Sequence, residues 1–329
     1  MLQVHPEPAR PATDVEVRLP LRLSFVGGGT DLPEYYTRHG SHLICAAIDW
    51  HITVGASAGG PRSPAHRSRY AERFFIEHDL AATGWVDSEV APGSGLGGSG
   101  AVCVGLAAIR RITEGLPVDP NSVAQEAFRW ERHSLDEPVG FQDHVAAAHG
   151  GCIEVTADPD GTLTVTPRPD LAEAVQAQLD DKRLQIVPLG GTRPASALLR
   201  EMADSFNESP AKPSAKPSVA ELEAALLSDD TTALGELIDR QWNWKVSVTP
   251  SAAPPRTRAV LETLRAAGAS GAKVMGAGAS GMILVACPPE NRQRLSEALA
   301  ALDRRPRPAS LCHRGIHHPA ALPCGKDAM

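Results

Sequence analysis

Ten residues, "PGSGLGGSGA" at 92–101, hold five glycines and two serines and run directly into the apolar stretch Ala101-Val102-Cys103-Val104-Gly105-Leu106. Glycine lets successive backbone N–H groups turn inward with no Cβ in the way, which makes a concave nest for an anion. A helix beginning there points its positive end at the same spot. The stretch therefore demands a loop-to-helix junction able to hold phosphate. The plainer alternative is a tight turn closed by a capping serine. It is not a Walker A loop, because no GK[ST] closes it. Nor is it the GxGxxG of a dinucleotide fold, because no acidic ribose ligand follows a second strand at the right interval. No protein-kinase catalytic-loop motif is present.

At 329 residues the chain is long for one domain, and its 42% hydrophobic content can fill two cores. A net charge of -7 gives no general attraction to nucleic acid or an anionic membrane. No apolar run approaches the ~20 residues of a membrane-spanning helix. The first residues, MLQVHPEPARPATD, lack an apolar core, so no signal peptide is expected. Six scattered cysteines without a CxxC pair predict reduced thiols and a cytoplasmic setting.

The element pattern is mixed α+β. Residues 15–26 read as a strand entering Gly27-Gly28-Gly29, followed by a helix with Asp31 as N-cap, Pro33 in the first turn and Glu34 at N3. Residues 43–56 form a second strand, 59–68 a polar loop, 101–114 a helix closed by Gly115 and Pro117, and 122–135 another helix. A short helix at 142–149 precedes a hairpin over 152–165 centred on Asp160-Gly161. Strands are expected at 184–189 and 282–286, the latter after a glycine run at 276–281 entered from 273–275, and helices at 220–227, 232–244, 256–267 and 291–302. The expected organisation is a disordered lead at 1–14, an N-terminal domain at 15–185, a C-terminal domain at 186–310 and a tail at 311–329. The run "NESPAKPSAKPSV" at 207–219 reads as an exposed flexible loop.

Two carboxylates accompany the glycine loop. Glu131 shares a helical stripe with Val123 and Ala127, which turns it inward. A buried carboxylate needs a cation or donors; a salt bridge to Arg129 or Arg132 is the structural alternative. Asp143 opens the helix in "GFQDHVAAAHGG", where the common use of Asp is a cap. Together the loop and the two acids supply what phosphoryl transfer from ATP requires: a phosphate cradle, an oxygen ligand for Mg²⁺ and a carboxylate to orient a hydroxyl.

Three motifs in order resemble those of the GHMP small-molecule kinases: "PLRLSFVGGGTDL" at 20–32, "PGSGLGGSGA" at 92–101 and "KVMGAGASGMILV" at 273–285. The resemblance runs from about Val15 to Leu302. It implies an N-terminal domain like domain 2 of ribosomal protein S5, a ferredoxin-like C-terminal domain and an active site between them. Within the family, "GGGTDLPEYY", "EPVGFQDHVAAAHGG", "GGTRPASALL" and "QWNWKVSV" look most like the D-glycero-D-manno-heptose 7-phosphate kinases.

Carried over, the resemblance implies Asp143 as catalytic aspartate with Arg22 beside it. It implies Pro92, Gly93, Ser94, Gly95, Leu96, Gly97, Gly98, Ser99 and Gly100 around ATP phosphates, with Ser99 and Glu131 holding Mg²⁺. Gly28, Gly29, Thr30, Asp31, Gly276 and Gly278 would meet the substrate, and Arg193 would meet its phosphate. Two departures stand out: Gly98 replaces the first serine of the usual pair, and Phe141 stands where the subgroup often has lysine. The stretch from Asp79 to Val90 is also short, where relatives carry an extra helix and strand on the adenine side.

The expected activity is ATP-dependent phosphorylation of the anomeric hydroxyl of a phosphosugar, a heptose 7-phosphate first. A kinase for an unphosphorylated sugar or other small alcohol and a non-catalytic sugar or nucleotide sensor are the alternatives. The implied partner is a small sugar phosphate, with no nucleic acid and no membrane; a homodimer is an open assembly state. Two further features have competing readings. Cys312, His313, His317, His318 and Cys324 suggest zinc, against a strand end with a frayed tail. Trp242 and Trp244 suggest either helix-end packing or a sugar-site wall, the latter bringing Lys245 near a phosphate.

Overall fold

Alternating Val and Leu build the first strand as expected, β1 (Val15–Val26), whose residues from Leu19 to Val26 are all buried because both faces are covered. The computed structural model describes residues 14–57, 68–191, 195–208 and 216–318. The helix α1 (Pro33–His39) follows, then the long strand β2 (Ser41–Ser57), α2 (Arg69–Glu77) and β3 (Thr83–Ser88). Antiparallel β1 takes one edge of β2. The other edge is shared: β3 pairs with residues 52–57, and β4 (Cys152–Ala157) pairs with residues 41–46. The expected hairpin is present, β4 returning into β5 (Leu163–Pro167) with Ala157 opposite Leu163. Pro20, which cannot donate to a ladder, sits where the β1–β2 register shifts.

Against this sheet lie α3 (Gly98–Thr113) and α5 (Gln142–His149), and α4 (Pro120–Arg129) packs on those two helices. One helix was expected over 122–135. Instead α4 begins earlier, on an Asp119 side chain that accepts the Ser122 N–H at 2.8 Å, and gives way to a π-helical turn over Trp130–Ser134. That turn buries both Trp130 and Glu131.

The second half carries α6 (Pro169–Asp180), β6 (Leu184–Pro188), α7 (Ala195–Glu208), α8 (Val219–Leu227), α9 (Thr231–Val248), α10 (Pro255–Ala266), β7 (Gly271–Val274), β8 (Met282–Ala286) and α11 (Arg292–Ala301). Its antiparallel sheet has the order β6-β8-β7. Elements α2, β3, α6 and α7 had no expectation attached; β3 occupies the stretch read as shortened. The main core joins both halves, since Leu184, Ile186, Val219, Leu222, Met275 and Met282 pack with residues of β1 and β2. A second core lies among α9, α10, α11 and the smaller sheet.

Two expectations are corrected here. The first turn of α1 is capped at Leu32 without a side-chain bond, because the Asp31 carboxylate is engaged elsewhere. The C-terminal segment is held through His318 rather than frayed. Arg18 and His317 exchange backbone bonds at 2.8 and 3.0 Å, and Cys312 donates its N–H to the Ala47 carbonyl at 2.9 Å. Its zinc reading loses support, because Cys312 Sγ faces His51 while His318 Nδ1 faces the Glu16 carbonyl. Cys324 and residues 59–67 of the loop read at 59–68 lie outside the described residues. Trp244 packs with Tyr35, Met202 and Phe206, whereas Trp242 belongs to the second core and also touches the cleft described next.

Candidate active site

Between the two halves runs a cleft of about 1230 Å³, room for two small-molecule substrates together. Its floor is the end of β1, the glycine loop and the start of α5. Arg22 is buried on β1, and its Nε donates to Asp143 Oδ1 at 2.8 Å, with Nη2 donating to the same oxygen. Its remaining arm, Nη1, donates to the Gly95 carbonyl at 2.7 Å, tying the pair to the loop. Asp143 is thus no cap: α5 is capped at Phe141 with no side-chain bond, and Asp143 faces the cleft.

The loop geometry depends on missing side chains. Gly97 has φ +83°, and a Cβ there would stand 3.2 Å from Arg22 Cγ and 3.3 Å from Asp143 Cγ. A Cβ on Gly100 would stand 2.7 Å from Asp143 Cβ, so glycine is what lets α5 bring the carboxylate onto the first turn of α3. Pro92, Gly93, Ser94, Gly95, Gly97, Gly98 and Ser99 line the cleft. Leu96 does not; it is fully buried in the main core and anchors the loop from beneath.

The third glycine motif joins here for a structural reason. The Met282 N–H donates to the Ser94 carbonyl at 2.9 Å, and a Cβ on Gly276 would lie 2.6 Å from Gly95 Cα. Gly276 still lines the cleft, whereas Gly278 is packed against Ala252. Gly28, Gly29 and Asp31 also line it. Thr30 is turned under the loop, its hydroxyl donating to the Gly27 carbonyl at 2.7 Å and sharing a hydrogen bond with Ser41, which corrects its placement toward substrate. Arg193 lies outside the described residues.

Asp31 accepts the Gly29 N–H at 2.9 Å and the Gln142 N–H at 3.2 Å. Burial, then the neighbouring Asp143 charge, raises its pKa above the ordinary carboxylate value despite those bonds. Glu131 is inward as its stripe implied, and the Arg129 or Arg132 salt bridge is not formed: Arg132 pairs with Glu34 and Arg129 with Gln125. Among the described residues, neither Glu131 oxygen has a hydrogen-bond partner, which is the condition of a carboxylate fitted to hold a cation.

Two lysines on the C-terminal side had little weight in the sequence. Lys245 Nζ donates to the Gly276 carbonyl, and Lys273 Nζ donates to the Phe25 carbonyl at 2.7 Å. Burial, then Arg22, lowers the Lys245 pKa to about 8. Burial, then Lys245, drives Lys273 well below the ordinary value. Only the motif "KVMGAG" and the "WNWK" run hinted at them. Lys216, in the run read as a flexible loop, holds its Nζ 5.7 Å from the centre of the Tyr35 ring.

A folded-state pKa below the unfolded value means that the unfolded chain binds more protons between the two. Stability therefore rises with pH across that window and is lost as pH falls. Lys245→Met is expected to melt above the parent near pH 7.5, with the advantage shrinking between about pH 8 and the ordinary lysine value. Buried thiols such as Cys152, whose pKa is pushed up to about 12, act oppositely in alkali, so the difference between variant and parent is the readout. A pH-independent difference in melting temperature would remove the buried-charge account of Lys245.

Comparison with known proteins places these elements in context. The family model described as "GHMP kinases N terminal domain" matches residues 68–151, and "GHMP kinases C terminal" matches 222–307. The D-glycero-alpha-D-manno-heptose 7-phosphate kinase of Campylobacter jejuni is 24% identical over 318 residues, covering 87% of this chain and 93% of the relative. A D-glycero-D-manno-heptose 1-phosphate kinase from Bacteroides thetaiotaomicron superposes with TM-score 0.64 at 18% identity, covering 92% and 98% of the two chains. The Lactococcus lactis galactokinase complexed with galactose superposes with TM-score 0.65 at 15% identity, covering 93% and 95%. Among the described residues, no helix is long and apolar enough to cross a membrane.

Proposed function

The chain belongs to the GHMP kinase family, and from that premise we propose that it transfers the γ-phosphoryl group of ATP to the anomeric hydroxyl of a phosphosugar, a D-glycero-D-manno-heptose 7-phosphate first. The observation that carries this reading is the Arg22–Asp143 pair seated on the glycine loop, with Arg22 bonded to both the carboxylate and the loop. The named heptose relative adds the substrate class.

Residues 92–100 would cradle the phosphates of ATP, with Gly97 and Gly98 presenting N–H groups at the start of α3. Ser99 and Glu131 would hold Mg²⁺, which when bound offsets phosphate charge. Asp143 orients the sugar hydroxyl and accepts its proton, while Arg22 fixes the carboxylate rotamer and offsets charge at its oxygen. Asp31, raised in pKa and held by backbone donors, would bond sugar hydroxyls. Lys245 and Arg193 are the cations assigned to a substrate phosphate. The setting proposed is the cytoplasm.

One observation favours a second acceptor, an unphosphorylated sugar or other small alcohol. Phe141, where the resembling subgroup often has lysine, is buried against Tyr36 and brings no charge to the cleft. The deciding experiment is ADP release from Mg-ATP over a panel of sugars and sugar phosphates, with NMR of the product. Turnover of a heptose 7-phosphate to a 1,7-bisphosphate is the expected result. Turnover only of unphosphorylated acceptors selects the second reading, and no turnover of any acceptor rejects the kinase assignment.

A further inference from the structure

Three side chains on three different elements meet beneath the glycine loop: Cys103 of α3, Glu131 of the π-helical turn and His144 of α5. One ligand atom from each lies within 4.8 Å of the others, and all three residues are buried. His144 Nε2 stands 2.7 Å from Glu131 Oε2. The two are not aligned as a hydrogen bond, and among the described residues both ring nitrogens and both carboxylate oxygens lack hydrogen-bond partners. Beyond the 2.7 Å contact, His144 Nδ1 and Glu131 Oε1 stand without a hydrogen-bond partner among the described residues, an unmet demand in a buried cluster. The Cys103 thiol faces the same carboxylate.

We infer that Cys103, Glu131 and His144 form a binding site for a borderline-soft divalent cation of the Zn²⁺ type. The donor set argues for this ion class: a thiolate, an imidazole and a carboxylate suit Zn²⁺ or Co²⁺, whereas Mg²⁺ takes oxygen. Charge balance agrees. Binding releases the thiol proton to solvent and forms a sulfur–metal bond, so a 2+ ion with one thiolate, one carboxylate and a neutral imidazole is neutral overall. Neutrality is what a buried cluster needs. Glu131 and His144 also line the cleft, so water can supply a fourth ligand. The π-helical turn is what swings Glu131 into this position, and such turns are frequent at functional sites. The site shares Glu131 with the Mg²⁺ position proposed above, so a bound soft cation takes a Mg²⁺ ligand from the kinase; cation binding itself does not depend on the kinase reading.

The test uses the full chain, stripped of metal and titrated with Co²⁺, then with Zn²⁺ against a chromophoric chelator. The expected result is one equivalent of Co²⁺ showing a thiolate-to-metal charge-transfer band, displaced by one equivalent of Zn²⁺. Cys103→Ser should abolish the band, and His144→Gln, which removes a direct ligand, should weaken Zn²⁺ binding by at least the ~100-fold that loss of an outer-shell partner can cost. Circular dichroism and melting temperature establish that each variant is folded, and Cys103→Ala serves if the serine variant is not. A charge-transfer band that persists without Cys103 would assign the metal to another thiol, such as Cys312 beside His51, and would overturn the inference. So would a parent protein that binds no Co²⁺ through sulfur.

Discussion

Asp143→Asn is expected to lower kcat by about 100-fold or more, the scale of a lost acid–base group, which corresponds to roughly 2.7 kcal/mol of transition-state stabilisation. The substitution is nearly isosteric. The amide oxygen can still accept from Arg22 Nε, so the pair keeps its geometry and loses its charge. The carboxylate caps no helix end, since α5 begins after Phe141 without a side-chain bond. Stability should therefore change by about 1 kcal/mol, the difference between a charged and a neutral hydrogen bond. KM should move less than kcat, because the contact strengthens toward the transition state. Steady-state kinetics and melting temperature together separate a chemical role from a structural one. Near-normal kcat in a folded Asn variant would remove Asp143 from the chemistry.

Gly97→Val should abolish productive ATP binding while leaving most of the fold intact. Gly97 has φ +83°, a conformation in which a β-branched residue is an outlier. Holding such a residue there costs about 1–3 kcal/mol. The new side chain would also grow from a Cβ position already 3.2 Å from Arg22 Cγ and 3.3 Å from Asp143 Cγ, so it pushes on the pair that defines the site. Calorimetric titration of Mg-ATP at a temperature where both proteins are folded is the measurement. Ser99→Ala is the companion: it removes one hydroxyl from the cleft without backbone strain, and should weaken Mg-ATP use with an unchanged melting temperature. Parent-like ATP affinity in Gly97→Val would show that the glycine loop does not hold phosphate.

Much of the site was legible because its signals are local. Glycine at 93, 95, 97, 98 and 100 marks a loop where Cβ atoms are excluded, and all of those except Gly98 and Gly100 have positive φ. The four-residue spacings of Val123, Ala127 and Glu131 mark an inward stripe, and all three are buried. The helix at 142–149 and the strands at 15–26 and 282–286 were readable from periodicity and their glycine boundaries. Asp31 shows where local reading failed. Its sequence context is that of an N-cap, but Gln142, 111 residues away, supplies a donor that turns the carboxylate toward the cleft.

The sequence by itself determined that a phosphate-type loop opens a helix, that one acid is buried and another starts a helix, and that the chain mixes α and β elements. Those properties depend on neighbours within a turn or two of chain. Only the tertiary structure decided which groups meet. Arg22 and Asp143 are 121 residues apart, Lys273 and Phe25 are 248 apart, and no local propensity encodes either contact. Thr30 was moved from substrate to turn because folding buries its hydroxyl against Gly27 and Ser41. The same holds for Cys103, Glu131 and His144: each reads locally as a core residue, an inward acid or a small-helix histidine. The packing of α3, α5 and the π-helical turn leaves them facing one another, with the Glu131 and His144 polar atoms lacking hydrogen-bond partners among the described residues.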